Sequence, residues 1–287
     1  MPIAKILVPV RGDGKGENSL EHALALGRGF NAHIEAVYSR PRPQDMLPFG
    51  VVVPAGLRKQ IESSFDTVSA GEGARLNGLF REFAERHGVE LVDLSGTPPR
   101  DRMTASWREV AGKQPDVLGL RGRLADLVVV PRPDRKMNLG FNTLYSALVS
   151  TGRPVMMCAD KLPDRPLLSH LVIAWNGSAE AARAVALGID LIQQAEKVTA
   201  LTVGETPLGA SLDDLKAYLA VRGVEVEAEK LPERGDVGAT IVSAAEKAGA
   251  GLLLMGAYSH SRGQESLFGG ASQHVVDHAR LPVIMVH

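Results

Sequence analysis

Three observations predict an α/β protein built from two tandem, doubly wound parallel-sheet domains. The chain has 287 residues, enough for two domains of ordinary size, each able to bury its own core. Short apolar runs rich in β-branched residues alternate with helical patterns, the signature of βαβ units whose strands are covered on both faces. The runs recur in the same order in the two halves, so the second domain reads as an internal duplicate of the first.

KILVPVRG (5–12) ends in glycine and leads into NSLEHALALGRGF, as HLVIAWNG (170–177) leads into SAEAARAVALGIDLI. AHIEAVYSR (32–40) and KVTALTVGE (197–205) each follow directly on their helix. ADLVVVPRP (125–133) matches AGLLLMGAY (250–258), and RPVMMCA (153–159) matches LPVIMVH (281–287). The offset is 165 from Gly12 to Gly177 but 125 from Val130 to Met255 and 128 from Pro154 to Pro282, so the first half holds about 40 additional residues. These fall at about 41–87, in the proline-rich PRPQDMLPFGVVVPAG and the helical LRKQIESSFDTVSAGEGARLNGLFREFAERHG, an insertion suited to a lid or an interface. The domains run over 1–160 and 168–287, joined through the exposed-looking DKLPDRPLLS (160–169).

Composition narrows the function classes. A formal net charge of -1 supplies no field for nucleic acid or anionic membrane, so neither is an expected partner and a small molecule is. No apolar run reaches the roughly 20 residues of a bilayer span. The single cysteine, Cys158, forms no internal disulfide, and MPIAKILVPVRG reads as a first strand rather than a signal peptide; a cytoplasmic location is expected.

In doubly wound sheets ligands lie beyond the carboxyl ends of the strands, which directs attention to the loops after the first and fourth strands. In the second half the fourth strand runs into MGAYSHSRGQESLFGGASQHVVDHA, with glycine at 256, 263, 269 and 270 and a helix from about Ala271. Glycine lets backbone approach an anion, N–H groups at a helix start point at it, and His260, Ser261 and Arg262 add donors. A glycine-rich surface loop that merely ends in a helix gives the same pattern.

The spacing Gly256, Ala257, Tyr258, Ser259, nine residues, Gly269, Gly270 resembles the G-x-x-G-x9-G-[ST] loop of ATP-binding universal stress proteins, with Ser259 in place of the second glycine and Gly270 in place of Ser or Thr. AWNGSAEAARAV, the terminal LPVIMVH and, in the first half, WREVAGKQPDVLGLRGRLADLVVV extend the resemblance to a tandem two-domain member over nearly the whole chain. It implies a Rossmann-like fold of the adenine-nucleotide alpha hydrolase-like kind. It also implies a stress-response regulator that binds ATP or another adenine nucleotide, with Mg as an optional companion, in its second domain. Asn176 stands where the family has an adenosine-binding aspartate and Arg11 holds that place in the first half. By the same carry-over Ala174, Val203 and the backbone near Gly256 border the adenine or ribose and Gly269, Gly270 and Ala271 lie at the phosphates, while Asn176, Gly177, Ser178, Ser259, His260, Ser261, Arg262 and Ser272 complete the expected nucleotide-binding set. The resemblance further implies an intrachain pseudo-dimer through the last strands, Val155, Met156 and Met157 against Val283, Ile284 and Met285, and leaves open a homodimer of whole chains.

The first half has no such cradle: Pro131 replaces the glycine and Pro133 removes a donor, although Arg132, Arg135 and Lys136 offer charge for an anion. GDGKG (12–16) lacks the Ser or Thr of a phosphate loop and reads as a turn. His274 and His278 are one helical turn apart without the metalloprotease glutamate, Asp213 and Asp214 read as helix capping, and Cys158 as a buried thiol. Trp175 suits a pocket wall and a core position equally. No Ser/His/Asp elbow or paired carboxylates appear, so catalysis is at most slow ATP hydrolysis. Two other readings stand beside the nucleotide regulator: an interaction scaffold without nucleotide, supported by Arg11, Ser259 and Gly270, and an enzyme acting on a small metabolite under the 41–87 insertion.

Overall fold

The computed structural model describes residues 3–42, 55–134, 140–206, 209–257 and 270–287, apart from the side chains of 55–68. The first half runs β1 (Lys5–Val10), α1 (Gly16–Gly27), β2 (His33–Arg40), α2 (Ala55–His87), β3 (Glu90–Leu91), β4 (Thr104–Ala111), α3 (Gln114–Gly122), β5 (Leu127–Val130), α4 (Phe141–Thr151) and β6 (Val155–Met157). The second runs β7 (Leu171–Ala174), α5 (Ala179–Leu187), α6 (Ile189–Gln194), β8 (Val198–Val203), α7 (Leu212–Ala220), β9 (Glu227–Leu231), α8 (Val237–Lys247), β10 (Leu252–Gly256), α9 (Gly270–His278) and β11 (Val283–Val286).

All strands join one sheet of 11, in the order β3-β4-β2-β1-β5-β6-β11-β10-β7-β8-β9. Within each half every pairing is parallel. Apart from the short edge strand β3, both halves follow the same third-second-first-fourth-fifth arrangement, read outward-in toward the middle of the sheet. Between them β6 pairs antiparallel with β11, Val283 opposite Met157, Ile284 opposite Met156 and Met285 opposite Val155. All six side chains are fully buried. The carboxyl ends of the two sets of strands therefore lie on opposite edges of the sheet.

Central strands are apolar on both faces because helices cover both: β1, β5, β7 and β10 are almost wholly buried. Strands β4 and β9 lie outside the apolar runs of the sequence. β9 is EAEKL with exposed residues, and β4 carries Arg108 and Glu109, so their strand character comes from edge pairing rather than hydrophobic content. The 41–87 insertion lengthens the helix after β2, which has 33 residues against 9 in its counterpart α7. Leu76, Phe80, Phe83 and Ala84 recur at helical spacing and bury that face of α2 against the sheet, where Phe80 and Tyr38 flank Trp107. The connection at 160–169 is tied to the second half: Leu167 is buried and Arg165 donates to the Gly249 carbonyl at 2.5 Å.

His33 and Glu35 are among the polar groups buried in the first half. His33 Nδ1 meets Thr104 Oγ1 and Nε2 meets Ser106 Oγ, each at 2.8 Å. Burial, with the Lys5 charge nearby, lowers its pKa to about 4. Glu35, with no exposed surface, is met by Lys5 Nζ at 2.6 Å, Arg108 Nε at 2.5 Å and Arg121 Nη2 at 2.7 Å. Burial pushes this acid up, but the three cations overcome it and hold the pKa at about 2. These contacts lock α3 onto β1, β2 and β4.

Truncating Ile284 at the seam to alanine will lower unfolding free energy by about 2–5 kcal/mol, measured by denaturant titration. Because His33 is held neutral, its contribution is complete above the unfolded pKa of 6.5 and is lost as pH falls from there toward 4. Wild-type stability is expected to drop by about 2–3 kcal/mol more than that of His33→Gln over this interval, and parallel pH profiles would contradict the assignment.

Candidate functional site

The second-half rim is assembled by sheet order: β8, β7 and β10 are neighbours, with Ala174 opposite Leu201 and Met255 opposite Ala174, so their exits converge. Ala174 is buried at the end of β7. Trp175 follows and belongs to the core, at 6% exposure, with Nε1 donating to the Ala210 carbonyl at 2.8 Å. Asn176 is exposed, and its Oδ1 accepts from Ser178 N at 3.1 Å, closing a turn that Gly177 completes at φ +73°. Ser178 caps α5, its Oγ accepting from Ala181 N.

Two glycines permit the close approaches at this rim. A Cβ on Gly177 would lie 2.8 Å from the Ala210 oxygen, and one on Gly209 would lie 2.7 Å from Gly177 Cα, so the segment after β8 rests directly on the β7–α5 turn. A Cβ on Gly256 would meet Ala181 N at 2.5 Å, which sets the β10 exit against the first turn of α5. Val203 is half-buried at the end of β8. Ser211 and Asp214 form a capping box at α7, so Asp214 does serve as a cap partner.

On the far side of the β10 exit, α9 begins at Gly270, which is exposed and whose Cβ would meet nothing among the described residues; Ala271 is half-buried and Ser272 buried. Ala271 and His274 press on Gly238 at the start of α8. Of the residues expected at the site, Ala174, Asn176, Gly177, Ser178, Val203, Gly256, Gly270, Ala271 and Ser272 are described. Ser259, His260, Ser261, Arg262 and Gly269 lie outside the described residues. The contact of the 209–211 segment with Gly177 is a site feature that sequence reasoning missed; Gly209 was the available signal.

At the start of α9, N–H groups and the helix dipole favour an anion. At the β7–α5 turn Asn176 Oδ1 is engaged locally, leaving its amide nitrogen as donor, and backbone from 209–210 covers Gly177. Among the described residues no group of three or more His, Cys, Asp or Glu is placed to hold a metal. His274 and His278 stack at 4.2 Å, and His274 Nδ1 lies 3.5 Å from Asp236. No helix among them is long and apolar enough to cross a membrane.

The first-half rim is built differently. GDGK forms a turn before α1, Arg11 pairs with Asp13 at 2.7 Å, and the Glu72 carboxylate from α2 occupies the place a side chain at Gly12 would take. Arg132 lies 3.6 Å from Asp160; Arg135 and Lys136 lie outside the described residues. Asn18 Nδ2 donates to the Ala159 carbonyl and Ala159 N to His22 Nε2, clasping the β6 exit onto α1. Burial pushes the Cys158 thiol up to about 12, an inert group.

The fold resembles solved structures along its full length. A universal stress protein from Archaeoglobus fulgidus superposes with a TM-score of 0.70 at 15% identity, covering 98% of this chain and 95% of that one. A functionally unknown protein from Pseudomonas aeruginosa PAO1 gives 0.57 at 16% identity, covering 99% and 92%. No curated protein matches the sequence. The model of the universal stress protein family matches residues 168–287, the stretch that carries the rim described above. The second half, residues 168–287, is thus similar in sequence to the universal stress protein family, and the chain as a whole is similar in fold to a solved universal stress protein.

Proposed function

We propose that the chain is a stress-response regulatory protein that binds ATP or another adenine nucleotide at the carboxyl rim of its second domain. The observation that carries this reading is the convergence of the β7–α5 turn, the β10 exit at Gly256 and the start of α9 on one rim of the family-matched half. Asn176 would donate its amide to the nucleoside, and Gly270 and Ala271 would present backbone N–H groups to the phosphates. Binding would order the rim and so couple the nucleotide to the choice of partner. Mg, when present, would ride on the phosphates. The domain pair 1–160 and 168–287, joined at the β6–β11 seam, gives that regulator two surfaces.

One observation favours the scaffold reading instead. Trp175 holds Ala210, and Gly209 lies on Gly177, so backbone already covers part of the nucleoside side. Isothermal titration of the full chain with ATP separates the two. Saturable binding, weakened about 3- to 10-fold in Asn176→Ala through loss of one hydrogen bond, supports the nucleotide reading. Absence of heat, with unchanged hydrogen exchange over 270–278, selects the scaffold.

A further inference from the structure

The Glu35 cluster in the first half is charged beyond what its structural role needs. One buried carboxylate meets three cations, Lys5, Arg108 and Arg121, an excess of two positive charges in a small volume. None of the three pairs with another carboxylate among the described residues. Asp126, whose carboxylate lies near the start of β1, accepts from the backbone N–H groups of Ala4 and Lys5. One carboxylate with one partner would suffice to pin a helix, and clustered like charges repel.

The geometry of the excess is specific. Arg108 Nε and Arg121 Nη2 donate to the same oxygen, Oε1, so the two guanidinium groups are held side by side. Their side chains keep 41% and 30% of their exposure, so the cluster opens to solvent. Arg121 Nε is buried with no acceptor. The exposed part of each guanidinium, not this buried nitrogen, is what a docking oxyanion would meet.

The surroundings add room for something larger than an ion. Because β3 pairs only with Thr104 and Ala105, the rest of β4 has no strand beyond it. A groove of about 410 Å³ follows that edge, lined by Arg108 together with Arg81, Asn77, Trp107 and Leu91.

We infer that Arg108 and Arg121, fixed by Glu35, form a binding site for a phosphate group, either free phosphate or the head of a phosphate monoester whose organic part passes round the β4 edge at Arg108 into the groove that Trp107 lines on the other face. Two arginines give the forked donor geometry that phosphate oxygens accept, and their attachment to Glu35 removes the ordering cost of bringing them together. Asp93, which also lines the groove, disfavours a second anionic group there. The site is in the first half and does not depend on the nucleotide reading of the second-half rim.

The test is a titration of the full chain with inorganic phosphate and, separately, with phenyl phosphate at constant ionic strength, observing the arginine Nε–H resonances by NMR. Saturable shifts of the Arg108 and Arg121 signals, abolished in Arg121→Ala, are expected. Phenyl phosphate binding about tenfold more tightly, with that advantage lost in Arg81→Ala or Trp107→Leu, identifies the monoester as the source; equal affinities identify free phosphate. Absence of saturation at tens of millimolar of either probe, or shifts that persist in Arg121→Ala, overturns the site. Because Arg81 is at the surface and pairs with nothing in the core cluster, its variant keeps the groove testable if Arg121→Ala fails to fold.

Discussion

The antiparallel pairing of β6 with β11 is the contact on which the rest of the architecture depends. Each half alone ends in a three- or four-residue strand with one edge open, an edge that would be apolar on both faces. Joined, Met156 and Ile284 become the centre of a sheet whose hydrophobic layers run through both halves on each face. Parallel sheets need cover on both sides, and the helices of each half supply it only if the sheet continues across the seam. The clasp of Asn18 and His22 on Ala159, and the docking of Leu167, hold the chain where it leaves the seam.

Much of this was legible in the sequence because it is written locally. Apolar runs such as LVVV and LLLM locate central strands, and the helical periodicity of 57–88 locates α2 to within a few residues. The seam was implied by the family resemblance, and its matched apolar triplets suit it. Edge strands were not legible, since β9 and β4 are polar and owe their conformation to a neighbour. The Glu35 cluster was also hidden: HIEAVY reads as an ordinary strand, and its arginine partners lie 73 and 86 residues further on. At the candidate rim the glycines were visible, but a glycine admits both a ligand and a neighbouring backbone. At Gly177 and Gly256 the neighbour is Ala210 and the first turn of α5.

The two halves use one topology to opposite ends. In the second, the counterpart helix α7 has only nine residues. In the first, α2 is long enough to bring Glu72 over Gly12 and Phe80 beneath Trp107, so the corresponding rim is covered by protein. The first half concentrates its unusual chemistry away from that rim, on the sheet face and outer edge where Arg108 and Arg121 sit. A surplus of charge was accommodated in the copy whose strand-end loops had closed.

The reversal of strand direction at the seam has a consequence for signalling. Two ordinary copies placed side by side with parallel strands would present both loop clusters to the same visitor, and one large partner could read both at once. Here the clusters face away from each other across the width of the sheet. A protein docking on the second-half rim leaves the covered first-half rim untouched, so the molecule can stand between two different neighbours as a bridge. Among the described residues the shared strands at Met156 and Ile284 are the most deeply buried link between the two sides.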